Sequence, residues 1–223
     1  MLADRIHERF PGRGIDRHAQ WFASYARQLV SVGSASIAAP PILRFISWFG
    51  GMAAGLLLLS PFFFVRYIDG IDHLPTYLSS LDAFITVLAA TVAGFFAMRS
   101  IELAVVRRRA IAGLQTLRSF AHVTDMLQLT KSPTRLLFPH AATKSSPKED
   151  EDATSMSRYL SYCTELYAFT AKLAVLYGEW TSDTAVLSAL DDVEDLCSNL
   201  ENKTTMKILL LEQFSQRLQA TPK

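Results

Sequence analysis

An uncharged stretch of 21 residues, Phe45–Val65, constrains this chain more than any other feature of its sequence. A helix of that length rises about 31 Å, which is enough to cross a bilayer whose hydrocarbon core is roughly 30 Å thick. The stretch lies far from Met1 and lacks the flanks of a cleaved signal peptide, so we expect it to remain in the mature chain. A buried hairpin in a water-soluble protein is the alternative, but a chain of 223 residues is too short to build the core that such a hairpin needs.

A second uncharged run, Ala83–Met98, has 16 residues, and apolar residues on both sides of it lengthen the apolar surface. Asp82 and Arg99 then lie at the two interfaces, where a long arginine side chain reaches the headgroups. The two runs predict membrane-spanning helices over about 45–65 and 82–105. Together they form a two-helix transmembrane hairpin within 42–106.

Arginine and lysine residues are distributed unevenly around the two spans. The connecting loop, 67–80, contains none and carries Asp69 and Asp72, whereas both outer flanks are basic. Positively charged flanks stay on the cytoplasmic side, so we expect a multi-pass protein with both termini in the cytoplasm. The basic residues that set this orientation are Arg5, Arg9, Arg13, Arg17, Arg27, Arg44, Arg107, Arg108, Arg109 and Arg118.

Residues outside the spans also have helical periodicity, which predicts an all-α fold with a cytoplasmic helical bundle. In 1–41, an amphipathic helix carries its apolar residues at Trp21, Phe22, Tyr25, Leu29 and Val30. This segment lies either at the membrane interface or against the bundle. The second span continues without a helix breaker through 107–132, up to Ser132-Pro133. An acidic linker, 133–155, follows.

The C-terminal segment, 156–223, predicts an antiparallel helical hairpin, because apolar residues recur at coiled-coil spacing on both of its halves. Ser182 or Asp183 is suited to cap the second helix, and Thr204 and Lys207 interrupt its apolar seam. Cys163 and Cys197 fall in facing seams, where we expect reduced thiols in the core. The first seam has Tyr159, Leu166, Leu173 and Trp180 with Tyr162, Cys163, Phe169, Thr170, Leu176 and Tyr177 between them; the second has Val186, Leu190, Val193, Cys197, Leu200, Leu211, Phe214 and Leu218.

Two segments resemble a widespread family of uncharacterised bacterial two-span membrane proteins. They are 121–133, with the sequence AHVTDMLQLTKSP, and 159–166, with YLSYCTEL, which leads to Asp192-Val193-Glu194. The resemblance covers about the last half of the chain. It implies a bacterial inner (plasma) membrane protein with a helical cytoplasmic domain, and it implies no activity.

The sequence offers one candidate ligand or partner site, made of His122, Asp125, Lys131 and Arg135. His122 and Asp125 are three residues apart and share a helix face, so the carboxylate is able to orient the imidazole for base catalysis or metal binding. No third ligand, nucleophile or phosphate-binding loop lies nearby in the sequence. We therefore favour a hydrogen-bonded packing pair, and we expect no metal, no cofactor and no catalytic residue.

Small residues within the spans predict close helix contact. Gly51 and Gly55 are four residues apart in the first span, and Ala90 and Gly94 have the same spacing in the second. This spacing suits contact between the two spans or between copies of the chain. Since two helices bury little interface of their own, we expect a homo-oligomer.

The sequence favours a non-enzymatic integral membrane protein that presents its cytoplasmic bundle for self-association or for a cytoplasmic protein partner. An oligomeric pore or membrane-perturbing effector gated by the bundle is the alternative, and a membrane enzyme using His122 and Asp125 is a third class. A net charge of +1 gives no basic field for nucleic acid. The expected partners are therefore the lipid bilayer, other copies of the chain and a protein.

Overall fold

The computed structural model describes residues 1–65, 74–133 and 152–220, and every regular element among them is a helix. The all-α fold predicted from the sequence is confirmed. The described helices are α1 (Leu2–Arg9), α2 (Gly14–Val32), a 3₁₀ turn (Gly33–Ser36), α3 (Pro41–Val65), α4 (Leu74–Leu127), α5 (Ala153–Trp180) and α6 (Thr184–Ala220). Most of the predicted linker and the first part of the predicted connecting loop lie outside these residues.

The chain divides into two compact units. One unit, Ile37–Arg109, contains α3 and the first part of α4, and we call it the hairpin unit. The other combines Met1–Ser36 with the described residues from Ala110 onward, and we call it the bundle. The α4 helix contributes residues to both.

In the hairpin unit, α3 begins at Pro41, whose missing N–H suits the first turn of a helix. The Pro40 carbonyl accepts hydrogen bonds from the backbone amides of Leu43 and Arg44, at 3.0 and 3.2 Å.

Two stretches contain an 18-residue window apolar enough to cross a membrane. They are Gly14–Leu57, with mean hydropathy 1.5, and Leu81–Leu127, with mean hydropathy 1.9.

The bundle is built around the α5–α6 hairpin, and side chains at both helix starts cap it. The Asp152 carboxylate accepts a hydrogen bond from the Ser155 amide at 2.9 Å, and that of Asp183 accepts one from the Ala185 amide at 3.0 Å. The predicted cap at Asp183 is therefore confirmed. The core comprises, among others, Leu114, Leu117, Phe120, Leu160, Cys163, Leu166, Tyr167, Ala174, Val186, Val193, Cys197 and Leu211.

The N-terminal helices are part of the bundle and contact α5, which is one of the two positions expected for 1–41. Phe10 is buried and meets the ring of Tyr159 edge-on, with 5.4 Å between centroids. Arg5 donates to the Glu165 carboxylate at 2.7 Å. The buried stripe of α2 is Ile15, Ala19, Phe22 and Leu29, whereas Trp21 and Val30 are exposed.

The turn between α1 and α2 is held by a buried carboxylate. Asp16 accepts hydrogen bonds from the Gly12 amide and the Gln20 side chain, both at 2.8 Å, and its Oδ2 lies 3.0 Å from His7 Nδ1. Desolvation opposes ionisation of this group. The hydrogen bonds from Gly12, His7 and Gln20 outweigh it, and the pKa of Asp16 is lowered.

Two helix boundaries differ from the sequence predictions. The α4 helix ends at Leu127 rather than near Lys131, because the next amides bond to carbonyls three residues back, as in Gln128 N to Asp125 O at 3.0 Å. The α5 helix begins at Ala153, before the predicted end of the linker, because Asp152 supplies its cap.

The seam of α5 also differs from the predicted one. Phe169, which the seven-residue repeat places in the seam, is 45% exposed, and Leu173 is half-buried. Tyr167 and Ala174 are fully buried in their place. A strict seven-residue repeat drifts by about 20° per heptad relative to a straight helix, so the buried face moves from one set of residues to its neighbours.

Candidate functional site

Four polar side chains meet inside the bundle and join three segments of the chain. Gln128, just beyond α4, donates from Nε2 to the Tyr167 hydroxyl on α5 at 3.0 Å. Its Oε1 accepts from Thr204 Oγ1 at 3.0 Å and from Lys207 Nζ at 3.3 Å, both on α6. We call this group, Gln128, Tyr167, Thr204 and Lys207, the polar junction.

The polar junction is largely removed from water. Gln128, Tyr167 and Thr204 are buried, and Lys207 is partly buried. Desolvation, reinforced by the nearby Lys203, lowers the pKa of Lys207, while burial raises the pKa of the Tyr167 hydroxyl. The tyrosine therefore stays neutral, and every junction side chain has a hydrogen-bond partner. Such a network fixes the register of the helices it joins.

An ion pair lies at the rim of the polar junction. Lys203 Nζ is 3.3 Å from Asp125 Oδ1, which brings the end of α4 beside α6. Exposed apolar side chains occur near both partners in the sequence, and we call them the methionine patch: Met126 and Leu129 from the α4 end, and Met206 and Leu210 from α6.

The described residues of the predicted ligand site do not form one cluster in the structure. His122 is exposed, and Asp125 pairs with Lys203 instead of with His122. Lys131 lies over the Tyr159 ring, with Nζ 5.3 Å from its centroid. Arg135 lies outside the described residues. The use of these residues by a ligand stays a prediction.

Both cysteines are buried, as the sequence predicted. Burial raises the pKa of Cys163 to about 12 and that of Cys197 to about 11. Since the thiolate is the nucleophile and the metal ligand, neither group is poised for such chemistry near neutral pH. Among the residues that the structure describes, no group of three or more His, Cys, Asp or Glu is arranged to hold a metal ion.

A partly buried histidine joins α2 to α4. His18 stacks on the Phe120 ring with 3.9 Å between centroids, and its Nε2 lies 3.0 Å from Thr124 Oγ1 and 3.3 Å from the Phe120 carbonyl. Desolvation lowers the pKa of His18 to about 4, and the bond to the carbonyl opposes this only in part. The imidazole is therefore neutral at pH 7.

In the hairpin unit, the small residues meet different surroundings. A Cβ added at Gly51 would lie 3.2 Å from Phe95 Cε2, so this glycine admits the ring of the other helix. At Gly55 and Gly94 an added Cβ would meet no atom within 4 Å, and Ala90 is exposed. Contact between the two helices thus involves Gly51, and the close contact predicted at the other three positions is not seen among the described residues.

Next to Gly51 lies an open cleft of 490 Å³ with both charged and apolar walls. Arg99 Nη1 donates to Glu102 at 2.7 Å, and the Glu102 side chain is mostly buried. The cleft is lined by Arg44, Ser47, Trp48, Gly51, Met52, Phe95, Arg99 and Glu102.

The sequence reasoning missed the polar junction. Thr204 and Lys207 stood out as polar residues within an apolar seam, which was the available signal. Their partner, Gln128, is 76 residues before Thr204, and nothing in the local sequence links the two.

The chain matches no protein-family model, and comparison with curated proteins and with solved structures also gives no match. The resemblance of 121–133 and 159–166 to bacterial two-span membrane proteins therefore stays a prediction.

Proposed function

We propose that this chain is a non-enzymatic integral membrane protein whose hairpin unit anchors a cytoplasmic bundle that self-associates or binds a cytoplasmic protein. We place it in the bacterial inner (plasma) membrane, with both termini in the cytoplasm. The observation that carries the proposal is the exposure of large apolar side chains all along the hairpin unit.

Apolar exposure in the hairpin unit is continuous rather than scattered. Ile42, Trp48 and Leu56 on α3 and Phe96 on α4 are each more than 60% exposed. At about 25 cal/mol per Å² of apolar surface, leaving so many large side chains in water would cost many kcal/mol. Soluble proteins rarely expose continuous apolar surfaces of this extent. Lipid is the solvent that removes this cost.

The proposed orientation depends on the basic residues of the hairpin unit. Arg44 lies before the apolar part of α3, and Arg107, Arg108 and Arg109 follow that of α4. Arg109 donates to the Ala38 carbonyl, so the basic ends of both helices belong to the same side of the unit. By the preference of basic flanks for the cytoplasm, this side faces the cytoplasm.

The methionine patch is the surface that we assign to association. Met126, Leu129, Met206 and Leu210 are between 49% and 70% exposed. Methionine side chains are flexible and polarizable and recur at surfaces that bind other helices. The Asp125–Lys203 pair at the centre carries one charge of each sign, so a second copy docked by the same face is able to exchange ion pairs with it.

The proposal is tested by cross-linking in membranes washed with alkaline carbonate. We expect the full-length chain to remain in the washed membranes and Met206→Cys to form a cross-linked dimer with a short bismaleimide. A membrane-impermeant maleimide should label this cysteine in inverted vesicles and not in intact cells. The native Cys163 and Cys197 are buried, so they give little background.

A matched control is Leu187→Cys, since Leu187 is exposed on the same helix about 28 Å from Met206 along its axis. We expect it to be labelled but not cross-linked. A cross-link from Met206→Cys to another protein would support partner binding instead of self-association. Extraction by carbonate would overturn the anchor, and equal cross-linking of both variants, or of neither, would overturn the role of the patch.

A further inference from the structure

The cleft in the hairpin unit combines features of a lipid headgroup site. Its walls offer two guanidinium groups, a serine hydroxyl and an indole at one end, and Gly51, Met52 and Phe95 at the other. An amphiphile with a charged head and an apolar tail matches this division, because its head would contact the polar side chains and its tail the apolar ones.

The charges of the cleft favour an anion. Glu102 is mostly buried and accepts from Arg99 at 2.7 Å, so these two charges offset each other. Arg44 is exposed and forms no ion pair with the residues that the structure describes. The cleft therefore carries a net charge of +1, concentrated on a guanidinium that is free to bind a phosphate in bidentate fashion.

The apolar wall depends on a close approach between α3 and α4. Gly51 leaves room for the Phe95 ring, whose Cε2 would be 3.2 Å from an added Cβ. Ser47, one turn before Gly51, is buried beside the charged end, while Trp48 is exposed at the rim. Tryptophan is favoured at the level of lipid headgroups, where its ring is apolar and its N–H is able to donate.

We propose that this cleft binds the headgroup of an anionic glycerophospholipid, with Arg44 and Ser47 at the phosphate and an acyl chain over Met52 and Phe95. The inference rests on the proposed membrane function, because the cleft meets a lipid only if α3 and α4 cross the bilayer. A zwitterionic lipid has a phosphate as well, but its cationic group has no free acidic partner in the cleft. The net charge therefore selects for an anionic head.

Trp48 provides a direct readout in the full-length protein. In a Trp21→Phe/Trp180→Phe background, the protein is reconstituted in vesicles containing either brominated phosphatidylglycerol or brominated phosphatidylcholine at the same mole fraction. Bromine quenches a neighbouring indole, so the ratio of the two quenching curves gives the relative affinity of the site for the two lipids. We expect phosphatidylglycerol to be favoured by about tenfold or more.

Arg44→Gln should reduce the preference for phosphatidylglycerol to the small value that the remaining basic residues near the membrane surface produce. The matched control is Arg108→Gln, which removes one exposed arginine of the same unit that does not line the cleft. A single juxtamembrane charge is worth about 1 kcal/mol, or about fivefold, so the control should lose no more than that. Arg44→Lys should retain part of the preference, since it keeps the charge and loses the bidentate geometry.

Equal effects of Arg44→Gln and Arg108→Gln, or no preference in the parent protein, would overturn the lipid site. Loss of preference on adding inorganic phosphate at millimolar concentration would assign the cleft to a free anion and would also overturn it. Carbonate extraction of the same preparations separates the two proposals. A chain that stays in the membrane without lipid preference refutes the site alone, whereas an extracted chain refutes the anchor.

Discussion

Replacing Gln128 with methionine should destabilise the bundle by about 2 kcal/mol, although the two side chains have similar volumes. The Thr204 hydroxyl is able to donate its one proton to the Leu200 carbonyl, 2.7 Å away, so the loss of Gln128 as its acceptor costs little. Lys207 is only partly buried and is able to turn toward water. The Tyr167 hydroxyl is fully buried and loses its donor, which costs about 1–3 kcal/mol.

Tyr167→Phe removes the other partner of the same bond and leaves the Gln128 amide without its acceptor. We expect a cost of about 1–2 kcal/mol for this variant alone. In the double variant both polar groups are gone, so no buried group is left unpaired by the loss of this bond. The combined cost should therefore fall short of the sum by about 1 kcal/mol or more.

Thermal unfolding of the detergent-solubilised full-length chain, followed by circular dichroism, measures these effects. For a chain of this size, 1 kcal/mol corresponds to about 2–4 °C, so Gln128→Met should lower the Tm by about 4–8 °C. Ser198→Ala, an exposed position on α6, is the control and should leave the Tm unchanged. Additive effects of the two single variants, or a Tm raised by Gln128→Met, would refute the assignment of the polar junction.

Two further predictions concern the contacts of α2, α4 and α5. Gly113→Ala should lower the Tm by a few degrees, because the added Cβ would lie 2.1 Å from the buried Tyr177 hydroxyl. This clash should outweigh the better helix propensity of alanine. A raised Tm would show that the tyrosine moves freely. His18 has a folded pKa of about 4 against 6.5 unfolded, so protonation favours the unfolded chain and stability falls as the pH drops from 6.5 to 4. A full shift of this size is worth about 3 kcal/mol, and the partial exposure of His18 reduces it to about 1–2 kcal/mol. Urea titrations at pH 7 and pH 4.5 measure this loss of stability, and His18→Gln should abolish it. An unchanged pH dependence in the variant would show that the loss has another origin.

Much of the bundle was predictable because its apolar residues follow helical periods. The α5–α6 hairpin, the cap at Asp183 and the buried cysteines were all derived from spacing and residue type. The phase within α5 was not, since a heptad pattern selects Phe169 and Leu173, whereas the helix buries Tyr167 and Ala174. Periodicity gives the helix, and contact with neighbouring helices decides which of two adjacent residues is buried.

The candidate site was less predictable because its contacts join distant parts of the sequence. His122 and Asp125 share a helix face, as their spacing requires, yet the stronger partner for the carboxylate is an ammonium group on α6. Likewise, α1 was missed as a separate helix. Its eight residues have only Ile6 as a buried apolar residue, and its position depends on Phe10 meeting Tyr159.

The meaning of an exposed apolar side chain differs along α4, and this difference separates the two proposals. Around Phe96, exposure accompanies a long run without charge, which suits the proposed contact with lipid. Near Met126 the sequence is mixed, and Asp125 beside it forms an ion pair with Lys203. We propose that a protein surface covers the patch. Variants in the cleft should therefore leave cross-linking at Met206 unchanged, and a loss of cross-linking in Arg44→Gln would show that lipid binding and association depend on each other.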